Sequence, residues 1–270
     1  MKEYTMTALT AAKKPAFYFI GVTTEHSSIM KVFPKWANTL GIKAVIKGID
    51  LPLHAPAEDY RRVVEFIKND PLSLGALVTT HKLDLYRACS DMFDYTDPYA
   101  KKLAEVSSLS KKNNELRAHA KDPVSSGMAL EDFVPRNFWM DHGGEVLLLG
   151  AGGSSLAMSL YFSRPDAGGN KPRRITIANR SQGRLDSAQA ALAGFEEKFR
   201  FVCSPSPADN DKLIAALPPY SLVVNATGLG KDAPGSPTTD AVSYPEHSLV
   251  WEINYRGDLV FMRQALAQKD

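Results

Sequence analysis

Residues 145–155 read EVLLLGAGGSS: an apolar run from Val146 to Leu149, a turn carrying Gly150, Gly152 and Gly153, then the start of a charge-free segment that reaches Ser163. A strand, glycine turn and helix in this order open a βαβ unit. The glycines let backbone N–H groups approach a pyrophosphate, and the helix start favours its negative charge. Gly150, Ala151, Gly152, Gly153 and Ser154 are therefore candidate cofactor contacts. Ser155 stands at the third glycine position of G-x-G-x-x-G, and a tight strand–helix connection with no ligand is the other reading. Glycines so near the start of 146–163 suit a strand and a helix rather than one membrane-spanning helix.

Downstream, the pattern predicts strands at 174–178, 200–203, 221–225 and 249–253, with helices near 153–163, 182–195 and 209–217. The first of these strands runs into Asn179, Arg180 and Ser181, with Arg184 one turn later. In a dinucleotide fold this position meets the adenosine ribose, where an acid would bind both hydroxyls and select NAD. No acid is there. Arg180, Arg184 and the Ser181 hydroxyl suit a 2′-phosphate, so NADP is expected, with NAD as the lesser choice. Asn225, Ala226 and Thr227 end another apolar strand, at the carboxyl edge where such sheets bind ligands. Asn225 reads equally well as a turn former satisfied by backbone.

Upstream, strands at 17–22, 44–51 and 75–79 alternate with helical patterns at 28–40 and 58–67, so a parallel or mixed sheet is expected here too. Pro34 must occupy a first turn or kink its helix. Segments 106–110 and 115–120 flank a polar turn at 111–114 and read as a hairpin. A short helical pattern then runs to Phe133, followed by a polar loop at 140–144. Lys82 follows an apolar strand, and at such a place a lysine with suitable neighbours can exchange a proton. Asp122 ends the first half in front of Pro123, where it reads either as a partner for Lys82 or as a helix cap.

The chain has 270 residues, 44% of them hydrophobic and 23% charged, which excludes disordered, collagen-like and coiled-coil classes. With 32 Lys+Arg against 30 Asp+Glu, it has no general reason to bind nucleic acid. Cys89 and Cys203, far apart and outside any C-x-x-C, support neither a disulfide framework nor a cysteine zinc site. Two free thiols suit a reducing cytoplasm, and residues 1–16 show no apolar signal segment. No metal site and no membrane partner are expected, and the protein is expected to be a monomer or homodimer.

Taken together these motifs resemble the shikimate/quinate dehydrogenase family over nearly the whole chain. Residues 21–28 (GVTTEHSS) are similar to the family's G-x-P-I-x-H-S-x-S-P, and 78–82 (VTTHK) to its V-T-x-P-x-K. Asp122 falls at N-T-D, 150–154 (GAGGS) at the glycine turn, 179–181 (NRS) at N-R-T, and 225–230 (NATGLG) at N-A-T-P-L-G. Residues 257–265 (GDLVFMRQA) match the spacing of the closing G-x-x-M-L-x-x-Q-A.

The resemblance implies an α/β protein of two domains. Residues 1–122 would form a substrate domain to which 258–270 return, and 123–257 a Rossmann-type NADP domain. The implied activity is reversible oxidation of a ring secondary alcohol, such as shikimate, quinate or a related hydroxy acid, to the ketone. Lys82 and Asp122 would be the proton-transfer pair, and Ser27, Thr79, Ser107, Tyr255 and Gln264 would contact substrate. Ile29 and Ser107 replace a serine and an asparagine of the family pattern, so an altered substrate is expected. On that basis Ile29→Ser and Ser107→Asn should improve the use of shikimate. A non-catalytic dinucleotide-binding paralogue and a folate-type dehydrogenase are the alternatives.

Overall fold

The computed structural model describes residues 8–165, 170–195, 199–231 and 233–269. The chain divides into two compact units, 1–121 and 122–270. In the first, β1 (Ala16–Gly21), β2 (Val45–Asp50) and β3 (Ser73–Val78) alternate with α1 (Ile29–Thr39) and α2 (Ala57–Asn69). After β3 come α3 (Lys82–Cys89), β4 (Tyr95–Thr96), α4 (Pro98–Leu103), β5 (Ser108–Lys112) and β6 (Glu115–His119). The mixed sheet has the order β2-β1-β3-β5-β6-β4; β1 pairs in parallel with β2 and β3, while β5 is antiparallel to β3 and β6.

Helix α2 turns Tyr60, Val63, Val64 and Ile67 inward, at i, i+3, i+4 and i+7, against Ile20, Val78 and Leu85. The expected hairpin closes on two residues: Asn113 and Asn114 have φ of 51° and 64°, a left-handed pair that asparagine tolerates and that matches strand twist. Pro34 lies in the second turn of α1 rather than the first. There it deprives Met30 of one backbone bond while the helix continues to Thr39.

The second unit contains α5 (Asp122–Glu131), α6 (Phe138–His142), β7 (Val146–Leu149), α7 (Gly153–Phe162), β8 (Ile175–Asn179) and α8 (Gln182–Ala191). It continues with β9 (Phe199–Cys203), α9 (Pro207–Ala215), β10 (Leu222–Asn225), β11 (Leu249–Glu252) and α10 (Val260–Leu266). The five strands are all parallel in the order β11-β10-β7-β8-β9, a Rossmann-type sheet. The chain moves one way from β7 to β9 and the other from β10 to β11. The crevice between the ends of β7 and β10 is therefore the switch point at which such sheets bind ligands. Every residue of β7 and β10 is buried, which explains why their sequences are continuous rather than alternating.

Two differences from the sequence reading have a tertiary cause. The segment expected as a loop at 140–144 is largely helix α6, because Phe138 and Trp139 are buried and Asn170, distant in sequence, accepts hydrogen bonds from Trp139 N and Met140 N. The closing segment 258–270, expected with the first domain, groups with the second unit. Phe261 is 1% exposed in that unit's core with Leu147, Leu149 and Val223.

Candidate active site

The glycine turn divides into a closed half and an open half. Gly150 has φ of +106°, and a Cβ there would stand 2.6 Å from Ala226 O, so only glycine lets β7 and the segment after β10 approach this closely. At Gly152 and Gly153 an added Cβ would meet nothing within 4 Å. Gly152 is the N-cap of α7, without a side-chain cap bond, and Ser154 is exposed. An open surface of backbone at a helix start fits a pyrophosphate. Buried Ser155 donates from Oγ to Gly150 O at 2.6 Å, replacing the absent third glycine with a clasp inside the turn.

Gly150 N donates to Ala178 O at 2.7 Å, which sets the turn beside the end of β8. There the Asn179 amide donates to Ser181 O and Oγ, both at 3.1 Å, and shapes the bend. Arg180, Ser181 and Arg184 are exposed, and no acid lies among residues 179–184. This set fits a 2′-phosphate.

Asn225 is bonded within the protein through both ends of its amide. It is fully buried: its amide nitrogen donates to Glu252 Oε2 (2.8 Å) and Leu229 O (3.2 Å), and its oxygen accepts from Thr227 N (3.1 Å) and Oγ1 (2.7 Å). Its bonds to Leu229 O and Thr227 N are those of a turn former, and they shape the loop that carries Ala226 and Thr227. Glu252 and Asn254 complete this network, Asn254 donating from its side chain to Leu229 O and from its backbone to Glu252 Oε1. The sequence reading missed both, and their only sequence signal is their place at the carboxyl end of β11.

Within the second unit Asp122, Ser126 and Ala129 share one face of α5, at i, i+4 and i+7, and line a cavity of about 310 Å³. Ser154 of the glycine turn, Met158, Trp251 and Ile253 line the same cavity. Its lining combines apolar side chains with serine hydroxyls and the Asp122 carboxylate.

In the first unit, Lys82 opens α3, half-buried, its backbone N donating to Thr79 O and its O accepting from Val106 N. The Thr79 hydroxyl lies 3.4 Å from where a Cβ on Gly21 would be. The parallel strands β1 and β3 thus bring Thr79 and the segment leading to half-buried Ser27 to one sheet edge. Ser107 is 4% exposed, and its hydroxyl accepts from Lys121 N at 2.7 Å and lies 3.5 Å from His119 O. In the second unit, Tyr255 is 75% exposed. Gln264 accepts from Ser236 and Thr238 hydroxyls, each at 2.7 Å, and donates to Asp240 at 2.9 Å. Among the described residues no group of three His, Cys, Asp or Glu could hold a metal ion, and no helix is long and apolar enough to cross a membrane.

Fold and turn together define the class: an α/β protein of two units, the second a Rossmann-type parallel sheet with a glycine turn after β7. Comparison with known proteins narrows it. No protein-family model matches the chain. It is 33% identical over 117 residues to a shikimate dehydrogenase (NADP(+)) of Bacillus cereus, a match spanning 43% of this chain and 37% of that relative's length. To the shikimate dehydrogenase (NADP(+)) of Methylobacterium radiotolerans it is 24% identical over 242 residues, 89% of this chain and 78% of the relative. Its fold is similar to that of shikimate 5-dehydrogenase from Listeria monocytogenes, solved with shikimate and NAD (TM-score 0.73, 18% identity, 97% of this chain and 86% of that one). It is also similar to the fold of quinate dehydrogenase from Corynebacterium glutamicum, solved with NAD (TM-score 0.73, 19% identity, 94% and 85%). The chain is a sequence relative of the shikimate dehydrogenases and has the fold of shikimate and quinate dehydrogenases.

Proposed function

We propose that this protein is an NADP-dependent dehydrogenase that interconverts a ring secondary alcohol of the shikimate or quinate class and its ketone. One observation carries the reading: the cavity in which Asp122 and Ser154 of the glycine turn share a wall puts a carboxylate beside the place where the dinucleotide would bind. When bound, the dinucleotide supplies the hydride acceptor for the carbinol carbon. Lys82 accepts the hydroxyl proton as the carbonyl forms and returns it in the reverse direction, with Asp122 as the second member of the proton-transfer pair. Residues 1–122 hold the alcohol, with Ser27 and Thr79 at the sheet edge that carries Lys82. The exposed face of Gly152 to Ser154 holds the pyrophosphate, and Arg180 and Arg184 hold the 2′-phosphate. We place the protein in the cytoplasm as a monomer or homodimer; Cys89 and Cys203, both free, are consistent with that compartment.

The test is a screen of hydroxylated ring acids with NADP and NAD, read as reduced nicotinamide, alongside NADP titrations. Lys82→Ala and Asp122→Asn should each lower kcat by about 10²–10⁴-fold while leaving NADP affinity unchanged. NADP binding without turnover of any ring alcohol would identify a non-catalytic paralogue. Absence of dinucleotide binding would overturn the reading altogether.

A further inference from the structure

Immediately before Lys82 the first unit buries a histidine for which the proposed chemistry has no use. His81 is 1% exposed, as is Tyr60 of α2 beside it. Tyr60 Oη and His81 Nδ1 are hydrogen-bonded at 2.9 Å, and the buried imidazole also faces the backbone of Gly21 and Leu51. Burial pushes the imidazole below its ordinary pKa and so favours the neutral ring. Burying two polar side chains costs desolvation that an apolar pair of the same size would avoid, so packing alone does not account for them.

His81 is the N-cap of α3, and Lys82 is the first residue of that helix, which has no side-chain cap bond at this end. Besides the bonds internal to α3, its first turn is held by Lys82 N to Thr79 O (3.1 Å), Leu85 N to His81 O (2.8 Å) and Val106 N to Lys82 O (3.1 Å). The His81 ring adds a tether to a different helix.

We propose that the Tyr60–His81 hydrogen bond is a positioning clamp for Lys82, fixing the rotation of the first turn of α3 and so the direction in which the lysine leaves it. The clamp rests on the reading of Lys82 as the proton-transfer residue. Proton transfer is sensitive to such rotation, because a displacement of about 1 Å in a reacting group costs on the order of 100-fold in rate.

The experiment uses the full chain with NADP and the ring alcohol it turns over. Tyr60→Phe, which keeps the ring and removes the hydroxyl, should lower kcat by about tenfold and displace the pH profile of kcat, with KM for NADP unchanged. His81→Leu should behave in the same way. His81→Asn, whose amide oxygen stands near the place of Nδ1, should keep kcat within about threefold of the parent and serves as the variant that preserves the clamp. Acetic anhydride labelling of Lys82, measured by peptide mass spectrometry against the other lysines, reads the side chain's surroundings without turnover. It should change several-fold in Tyr60→Phe and His81→Leu but not in His81→Asn. Unchanged labelling and kcat in folded Tyr60→Phe would overturn the clamp alone. Full activity in Lys82→Ala would overturn it together with the role of Lys82.

Discussion

The hydroxyl of Ser155 donates a 2.6 Å hydrogen bond to the carbonyl of Gly150, across the turn joining β7 to α7. Ser155 is fully buried, so the bond lies where water does not replace it. Ser155→Ala should leave the Gly150 carbonyl short of a partner at a cost of about 1–3 kcal/mol. For a unit of this size that lowers Tm by roughly 2–4 °C per kcal/mol. Loosening the turn should also weaken NADP binding. A thermal melt and an NADP titration of the same variant check both effects, and parent-like values in both would show the clasp to be unimportant.

Arg180 and Arg184 stand exposed beyond β8, with no acid among residues 179–184. Arg180→Ala should raise KM for NADP by about tenfold or more, a charge-assisted hydrogen bond being worth about 1.5–3 kcal/mol, with little change in KM for NAD. Steady-state kinetics with both dinucleotides decide the matter. An equal loss for the two would place Arg180 elsewhere than at the 2′-phosphate.

Ile29 and Ser107, the two departures from the family pattern, now separate. Ile29 is the first residue of α1, two positions after Ser27, and half-buried. Ile29→Ser should raise kcat/KM for shikimate by about tenfold if the carboxylate binds there. Ser107→Asn, expected from the sequence to help, should instead destabilise the first unit, because the larger side chain has no room where a buried hydroxyl holds Lys121 N. Kinetics for the first variant and a denaturant melt for the second test the split.

Asp70 supplies an acid-sensitive tie in the first unit. Burial alone would raise its pKa. Hydrogen bonds from Tyr18 Oη (2.6 Å), Leu72 N (3.0 Å) and Ala12 N (3.2 Å), with Lys111 nearby, outweigh burial and hold the carboxyl below its ordinary value. A carboxyl with a depressed folded pKa stabilises the folded state in full above its unfolded value, about 3.9, and loses that contribution as pH falls through the lower folded value. Asp70→Asn should therefore reduce stability at neutral pH and flatten its decline between about pH 4 and the acid transition. Denaturant melts across pH 2–7 on the order of one unit apart would show a parallel loss at every pH if Asp70 were not the titrating group.

The sequence by itself determined the βαβ order of both halves, the glycine turn and the basic end of β8. These are written in short-range patterns: buried strands as apolar runs, turns as glycine and asparagine, and the ribose-reading position as an interval from the turn. Motif order is what singles out Lys82 and Asp122 as the proposed proton-transfer pair. The tertiary structure decided whatever depends on partners distant along the chain. Asn225 is a builder of its loop because Glu252 and Leu229 come to meet it. Residues 138–142 are helical because Asn170 caps them, and the closing helix belongs to the second unit because Phe261 finds that unit's core. Ser107 points at backbone because the chain returns at Lys121. A side chain's local sequence fixes the atoms it offers; which of them remain for a ligand depends on long-range contacts that satisfy the rest.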